Sequence, residues 1–245
     1  MSLDLSAYEH FAREAVATFW VSRNAAGQQA GSRDTGSRGA VTAGKNLDGF
    51  YRLIREVVHA NGLEESSLFC SGQETAIQRH TVLPGFYRPV KDWDVVIVHR
   101  GALVAAIELK SQVGSLGNNF NNRAEEAIGM GEDLRVAYRE GRFGRRSRPF
   151  VGYLTLVEDS AASTRPVRAR SRHFEVDPAF DGASYVRRYD ELCRRLVHEG
   201  LYDAATVLLS SPKEGLNGAY RELSADTGLR AFVARLAARV AEASA

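Results

Sequence analysis

The sequence predicts an α/β fold in which a mixed β-sheet is flanked by helices. Three observations lead to this expectation. Apolar residues recur at helical spacing near both ends of the chain, two strongly β-forming runs follow one another at 93–99 and 103–109, and later apolar runs alternate with helical segments. The chain has 245 residues and shows no repeat and no linker between two folding units. We therefore expect one domain spanning residues 1–245.

The first third of the chain is predicted to hold two helices with a loop between them. An apolar stripe over 5–20 indicates an amphipathic helix, and a second stripe over 47–58 is followed by Gly62, a common residue just past a helix end. Residues 22–45 lack this periodicity and are rich in Gly, Ser and Ala. They are expected to form a flexible linker or a loop that becomes ordered on DNA.

The strands are expected in the middle of the chain. A short strand is predicted at 68–70, and the runs WDVVIVH at 93–99 and LVAAIEL at 103–109 are predicted to pair through a three-residue turn that contains Gly101. The later predicted elements are a helix at 122–139 ending at Gly141, a buried strand at 150–157, a helix at 185–197, a strand at 205–209 and a closing helix at 229–240.

Overall charge does not select a class of partner, because 32 basic and 30 acidic residues give a net charge of +2. The distribution is less even. Residues 142–172 contain eight arginines, no lysine and two acids, a local net charge of +6. Guanidinium groups pair well with phosphate oxygens, which favours contact with nucleic acid. The alternative is a solvated basic surface.

The sequence also limits the cellular compartment that we expect and the disulfide and zinc sites that the chain can form. No apolar run approaches the ~20 residues needed to span a bilayer, and the N-terminal segment lacks the basic start and continuous apolar stretch of a secretory signal. We expect a cytoplasmic protein that does not associate with membranes. The two cysteines, Cys70 and Cys193, are too few for a disulfide framework or a zinc cluster.

Three charged side chains are predicted to meet on the 93–109 hairpin. With a three-residue turn, paired positions sum to 202, which places Asp94 opposite Glu108 at a Cβ separation of roughly 4.5–5.5 Å. Lys110 shares the face of Glu108, because side chains alternate along a strand. Facing carboxylates repel unless a cation lies between them, and Mg²⁺ suits such ligands. Lys110 would stabilise charge on an attacked phosphate. This pattern predicts metal-dependent phosphodiester hydrolysis, and the alternative is a surface Glu–Lys pair.

Other acids compete for the same roles. Asp92 has the strand parity of Asp94 but lies further from the position opposite Glu108. Glu56 lies away from the apolar stripe of its helix and is a candidate for an additional metal ligand. Glu125 and Glu126 are better explained by favourable interaction with a helix dipole than by metal binding.

A run of amides directly follows the predicted catalytic strand. Asparagine amides can recognise the edge of adenine, and arginine can recognise guanine or hold a phosphate. The alternative is a capped turn, since Asn also favours turns and helix starts. Whether bases or phosphates are contacted stays open. The DNA-binding residues predicted here are Asn118, Asn119, Asn121, Asn122 and Arg123.

These residues carry a family resemblance. Asp94 with Glu108-Leu109-Lys110 resembles the active site of the PD-(D/E)xK nucleases, with Trp93 in place of the Pro that commonly precedes the Asp, and the element order resembles the core of that superfamily. More specifically, LPGFYRP at 83–89, KDWDVV at 91–96, AAIELKSQVG at 105–114 and GNNFNNRAEEAIG at 117–129 resemble the XhoI-type restriction endonucleases over most of the chain.

The resemblance implies a type II enzyme that acts on double-stranded DNA as a homodimer, uses Mg²⁺ and needs no nucleotide cofactor. It further implies the palindromic site CTCGAG, cut after the first C to leave a four-base 5′ overhang. Two other functions remain open at this point. One is a nuclease of the same fold that recognises DNA structure in repair or at junctions, and the other is a DNA-binding module without catalysis.

Overall fold

The elements follow the predicted order closely. A computed structural model describes residues 3–31, 45–72, 79–144 and 147–245. Short 3₁₀ helices occupy Lys45–Leu47 and Glu65–Ser67. The helices are α1 (Tyr8–Gly31), α2 (Asp48–Ala60), α3 (Leu116–Arg139), α4 (Ala161–Thr164), α5 (Tyr185–His198), α6 (Pro212–Gly215) and α7 (Leu229–Ser244). The strands are β1 (Leu68–Cys70), β2 (Val82–Pro84), β3 (Val90–Asp92), β4 (Val95–His99), β5 (Ala102–Gln112), β6 (Phe150–Glu158) and β7 (Ala204–Ser210).

The main sheet has five strands in the order β1-β4-β5-β6-β7. The pairs β1–β4 and β4–β5 are antiparallel, whereas β5–β6 and β6–β7 are parallel. The change follows from the connections, since a tight turn joins antiparallel strands and a helical crossover is needed between parallel ones. The predicted mixed sheet flanked by helices is confirmed. The strands β2 and β3 form a separate two-stranded sheet.

Each face of the main sheet is covered by a different set of helices. One core contains apolar residues of α1, α2 and α7 together with Ile107 and Leu109 of β5. The other core contains apolar residues of α3 and α5 together with Ala106. Because side chains alternate along a strand, Glu108 lies on the face of Ala106 and not on the face of Ile107.

The β4–β5 turn differs from the predicted one. Arg100 and Gly101 form a two-residue turn, and both have positive φ, 49° and 71°, as a type I′ hairpin turn requires. A register shift between Ile97 and Val98 then restores the predicted pairing, with Val95 opposite Ile107. The three-residue turn was wrong, but the register that it implied for the lower part of the hairpin is confirmed.

Two helix boundaries also differ from expectation. The helix α1 continues to Gly31, so the loop predicted at 22–45 was wrong for residues 22–31. Ala and Gln in that stretch are good helix formers even without an apolar stripe. Residues 32–44 lie outside the described part of the chain. The helix α3 begins at Leu116, six residues before the predicted start at 122, so the asparagine run is helical.

The two ends of the described chain meet at the end of α2. The backbone N–H of Asp4 donates to Oδ1 of Asn61 at 3.1 Å. The hydroxyl of Ser244 lies 2.8 Å from where a Cβ on Gly62 would stand. Within the described ranges, no helix is both long enough and apolar enough to cross a membrane.

Candidate active site

Glu108 lies at the centre of the site. Only 3% of the surface of Glu108 is exposed, and its neighbours along β5 are apolar. An unpaired charge at this position would therefore be costly. Two ammonium groups compensate that charge. Lys110 contacts Oε1, and Lys91 donates to Oε2 at 2.8 Å. Glu108 and Lys110 come two residues apart on one strand, as predicted, and their side chains meet on one face.

Asp94 joins this group from the neighbouring strand. It directly precedes β4, and its Oδ2 accepts a 2.7 Å hydrogen bond from the backbone N–H of Leu109. The bond fixes the carboxylate beside the centre of β5, between the positions of Glu108 and Lys110. The structure therefore brings the three predicted residues Asp94, Glu108 and Lys110 together.

The electrostatic environment of Asp94 is unusual for a carboxyl group. Burial, followed by the nearby charge of Glu108, raises the pKa of Asp94 to about 6 from its ordinary value of 3.8. Lys110, the hydrogen bond from Leu109 and Lys91 act in the opposite direction and only partly offset the increase. A carboxylate in this position favours a neighbouring cation, because a cation relieves both the burial and the repulsion.

Sequence reasoning missed Lys91. Its side chain is 12% exposed, its ammonium also donates to the carbonyl of Asp92 at 2.7 Å, and it lies 4.9 Å from the ring centroid of Trp93. Lys91 belongs to β3, outside the main sheet, so no strand alternation relates it to Glu108. The only available signal was a count of charge, since two buried acids with one lysine leave one negative charge unbalanced.

Tyr51 of α2 is a second neighbour that the sequence did not indicate. It is 3% exposed. Burial, and then the charge of Asp94, raises the pKa of its hydroxyl above the usual value. The helix predicted before the sheet thus contributes a neutral hydroxyl group to the surroundings of Asp94.

The rival acids lie elsewhere. Asp92 accepts a 2.7 Å hydrogen bond from the hydroxyl of Thr81 in the small sheet, and its carboxylate is 3.9 Å from Arg79. Glu56 lines a cleft with residues 4–8, between the start of the chain and α2. The structure joins neither of them to the Asp94–Glu108 pair.

The predicted DNA-binding residues lie in the first turns of α3. Asn121 and Asn122 are exposed and Asn119 is half-buried, whereas the side chain of Asn118 lies outside the described part of the structure. Arg123 pairs with Glu126 at 2.6 Å across one helical turn. Three amides are therefore accessible or partly accessible on this helix, while the guanidinium group of Arg123 already has an acidic partner.

The donor set fits a magnesium ion. Among the described residues no cluster of three or more His, Cys, Asp or Glu side chains is present, so a site closed entirely by protein ligands is not built there. Mg²⁺ is commonly held by one or two carboxylates and keeps several waters. Asp94 and Glu108 match this requirement. One of the two lysines would have to move away from its Glu108 oxygen when the ion binds.

Comparison with known proteins identifies the same family that the sequence motifs resemble. The family model described as restriction endonuclease XhoI matches residues 26–222, which include Lys91, Asp94, Glu108 and Lys110. The chain belongs to the XhoI restriction endonuclease family. The predicted family is confirmed, and so is the predicted enzyme class, a type II site-specific deoxyribonuclease.

Three curated relatives support the XhoI family assignment. The type II restriction enzyme XhoI of Xanthomonas vasicola is 48% identical over 82% of this chain and 79% of its own length. BstVI of Geobacillus stearothermophilus is 42% identical over 89% and 97%. AbrI of Azospirillum brasilense is 47% identical over 71% and 77%. Both of these are also named type II restriction enzymes. No solved structure gives a significant match to the chain.

Proposed function

We propose that this XhoI-family enzyme hydrolyses double-stranded DNA at CTCGAG in a Mg²⁺-dependent reaction, cutting after the first C to leave four-base 5′ overhangs. The observation that supports the chemistry is the meeting of Asp94, Glu108 and Lys110 beside β5. Similarity to the type II enzyme XhoI supports the choice of site. A target defined by DNA structure or a module without catalysis is not favoured by any contact in the described residues.

Asp94 and Glu108 would hold the ion. When bound, Mg²⁺ polarises the phosphoryl group and makes water a better nucleophile at neutral pH. The hydrogen bond from the backbone N–H of Leu109 fixes the orientation of Asp94. Lys110 would stabilise negative charge on the scissile phosphate and orient the attacking water. Lys91 donates to Oε2 of Glu108 and so holds this carboxylate in position.

An arginine-rich segment supports binding to the DNA backbone. It follows α4 and contains Arg165, Arg168, Arg170 and Arg172, all of them exposed. No ion pair found within the described residues involves these four side chains. The chain leaves the sheet at the end of β6 and reaches this segment through α4. Because β6 is parallel to β5, it leaves at the same end of the sheet as β5, close to Lys110. We propose that the segment contacts phosphates.

A homodimer is proposed because the target is palindromic. Two identical subunits related by a two-fold axis meet identical half-sites, and each subunit can cut one strand. Sedimentation of the protein with and without a CTCGAG duplex tests this part. A monomer at every concentration, also on DNA, would exclude it.

The decisive experiment compares two lysine variants on a plasmid with a single CTCGAG. Lys110→Met removes the proposed charge at the active site, and Lys213→Met removes an exposed lysine of α6 as the matched control. Each protein is incubated with Mg²⁺ and with EDTA, and the product ends are sequenced. We expect one Mg²⁺-dependent cut after the first C for the wild type and the control, and at least a hundredfold loss for Lys110→Met.

Each other outcome contradicts a different part of the proposal. Cutting at another sequence would support the nuclease activity and reject CTCGAG as its target. Cutting in EDTA would reject the metal. Full activity of Lys110→Met would reject the catalytic role of Lys110.

A further inference from the structure

The β2–β3 hairpin exposes a cluster of large apolar side chains close to the active site. Tyr87 is 69% exposed, Val90 56% and Phe86 44%. The rings of Phe86 and Tyr87 contact each other edge to face, with centroids 4.9 Å apart. Contiguous exposed apolar side chains often mark a binding surface, and the contact between the two rings makes this patch contiguous.

The loop that carries the two rings is held rigidly. Asp133 of α3 is buried, with 4% of its surface exposed. Its Oδ1 accepts the backbone N–H groups of Phe86 at 2.8 Å and Tyr87 at 2.7 Å, and its Oδ2 accepts Nε of Arg88 at 2.7 Å. Although burial opposes them, these bonds hold the pKa of Asp133 below its ordinary value. The carboxylate therefore stays ionised and fixes the loop to the helix.

Gly85 shows how close this packing is. A Cβ at that position would lie 2.5 Å from Oδ2 of Asp133 and 2.6 Å from the carbonyl oxygen of Arg88. Any side chain would force the loop away from α3. A loop held so tightly, yet with two aromatic rings facing outward, is preorganised for a ligand and does not need to order itself on binding.

The same hairpin is attached to the active site at its other end. Lys91, one residue after Val90, donates to Glu108 at 2.8 Å. Tyr87 precedes Lys91 by four residues, so the two Cα atoms lie no more than ~14 Å apart. Base pairs along duplex DNA are spaced by ~3.4 Å. A duplex that has its scissile phosphate at Glu108 and follows the β2–β3 hairpin would pass the aromatic pair within a few base pairs.

We propose that Phe86 and Tyr87 form a DNA-contacting wedge that packs against bases beside the cleaved phosphate. This inference rests on the proposed function, since it takes duplex DNA as the substrate of the same site. Apolar side chains on rigid elements can pack against or between base steps, and an aromatic ring offers a stacking surface that any base can use. Continuity with the active site favours DNA over a second protein chain as the occupant.

The test measures binding separately from cleavage. A 20-base-pair duplex with a central CTCGAG carries 2-aminopurine in place of an adenine within the site, and Ca²⁺ replaces Mg²⁺. Wild type, Phe86→Ala/Tyr87→Ala, Tyr87→Trp and the control Ile128→Ala are compared by anisotropy and by 2-aminopurine fluorescence. Ile128 is an exposed aliphatic residue of α3, 49% exposed. Circular dichroism and thermal melting confirm that each variant is folded.

We expect the double variant to bind roughly 5- to 150-fold more weakly and to lose the 2-aminopurine signal. Tyr87→Trp and Ile128→Ala should bind like the wild type. Equal binding by a folded double variant would overturn the wedge while leaving the proposed function intact. A double variant that instead dissociates a dimer would assign the rings to a protein interface and also overturn it. A wild type that binds no CTCGAG duplex would overturn the proposed function itself.

Discussion

Replacing Asp94 with Asn is expected to stabilise the metal-free protein above pH 6. In the folded protein the pKa of Asp94 is about 6, against 3.8 for the ordinary carboxyl. The folded state therefore binds the proton more tightly than the unfolded state. The stabilising contribution of the protonated group is fully present below about pH 4 and is lost as the pH rises through about 6.

The difference between the two pKa values corresponds to about 3 kcal/mol of unfolding free energy, since one unit is worth about 1.4 kcal/mol. Asparagine has nearly the same shape and keeps an oxygen that can accept the N–H of Leu109. Asp94→Asn should therefore be more stable than wild type by about 3 kcal/mol at pH 8, and the difference should shrink towards zero near pH 4.

Urea unfolding in EDTA across this pH range measures the effect, with Asp226→Asn as a control. Asp226 is an exposed acid in the turn before α7, and its replacement should change little at any pH. A second arm adds Mg²⁺ at pH 8, which should stabilise the wild type and not Asp94→Asn. An Asp94→Asn protein that is less stable than wild type at pH 8, or a pH-independent difference, would refute the reasoning.

Three further outcomes follow from the contacts described above. Lys91→Met leaves Glu108 with one ammonium partner and should cost about 3 kcal/mol in urea unfolding; a stability equal to wild type would contradict the role assigned to this lysine. Gly85→Ala forces a methyl group against Asp133 and should cost about 1–3 kcal/mol. It should also speed hydrogen exchange at the loop amides, and unchanged exchange would show that the loop is not held there. Arg168→Ala should lower the salt dependence of DNA binding by about one phosphate contact for CTCGAG and for unrelated duplexes alike; an unchanged slope would place this arginine away from the DNA.

The local sequence pattern was sufficient to predict the main sheet and the grouping of Asp94, Glu108 and Lys110 near its centre. Strands 93–99 and 103–109 are β-forming throughout, and a register that buries one face is strongly specified. The pairing near Asp94 was correct although the turn was wrong, because a shorter turn and a bulge together shift the strands by the same amount as a longer turn. The position of Asp94 opposite Glu108 depends only on this combined shift between the two strands.

Features that depend on tertiary contacts could not be predicted. Lys91 reaches Glu108 from a separate sheet, and Asp133 holds a loop that precedes it by 45 residues or more. Neither relation follows a helical or strand period. The start of α3 was placed too late because asparagine favours turns, whereas here the packing of Leu116 and Phe120 into the core favours helix.

Asp4 and Ser244 both lie at the end of α2, the first bonded to Asn61 and the second beside Gly62. Joining the two ends would need only a short peptide, and the resulting ring could then be reopened at the exposed turn after α3, near Gly141, without breaking any strand of the main sheet. Such a rearranged chain would keep both strands of the β4–β5 hairpin in their present order. The geometry around Asp94 and Glu108 should therefore depend on the pairing of β4 with β5, which this rearrangement leaves intact.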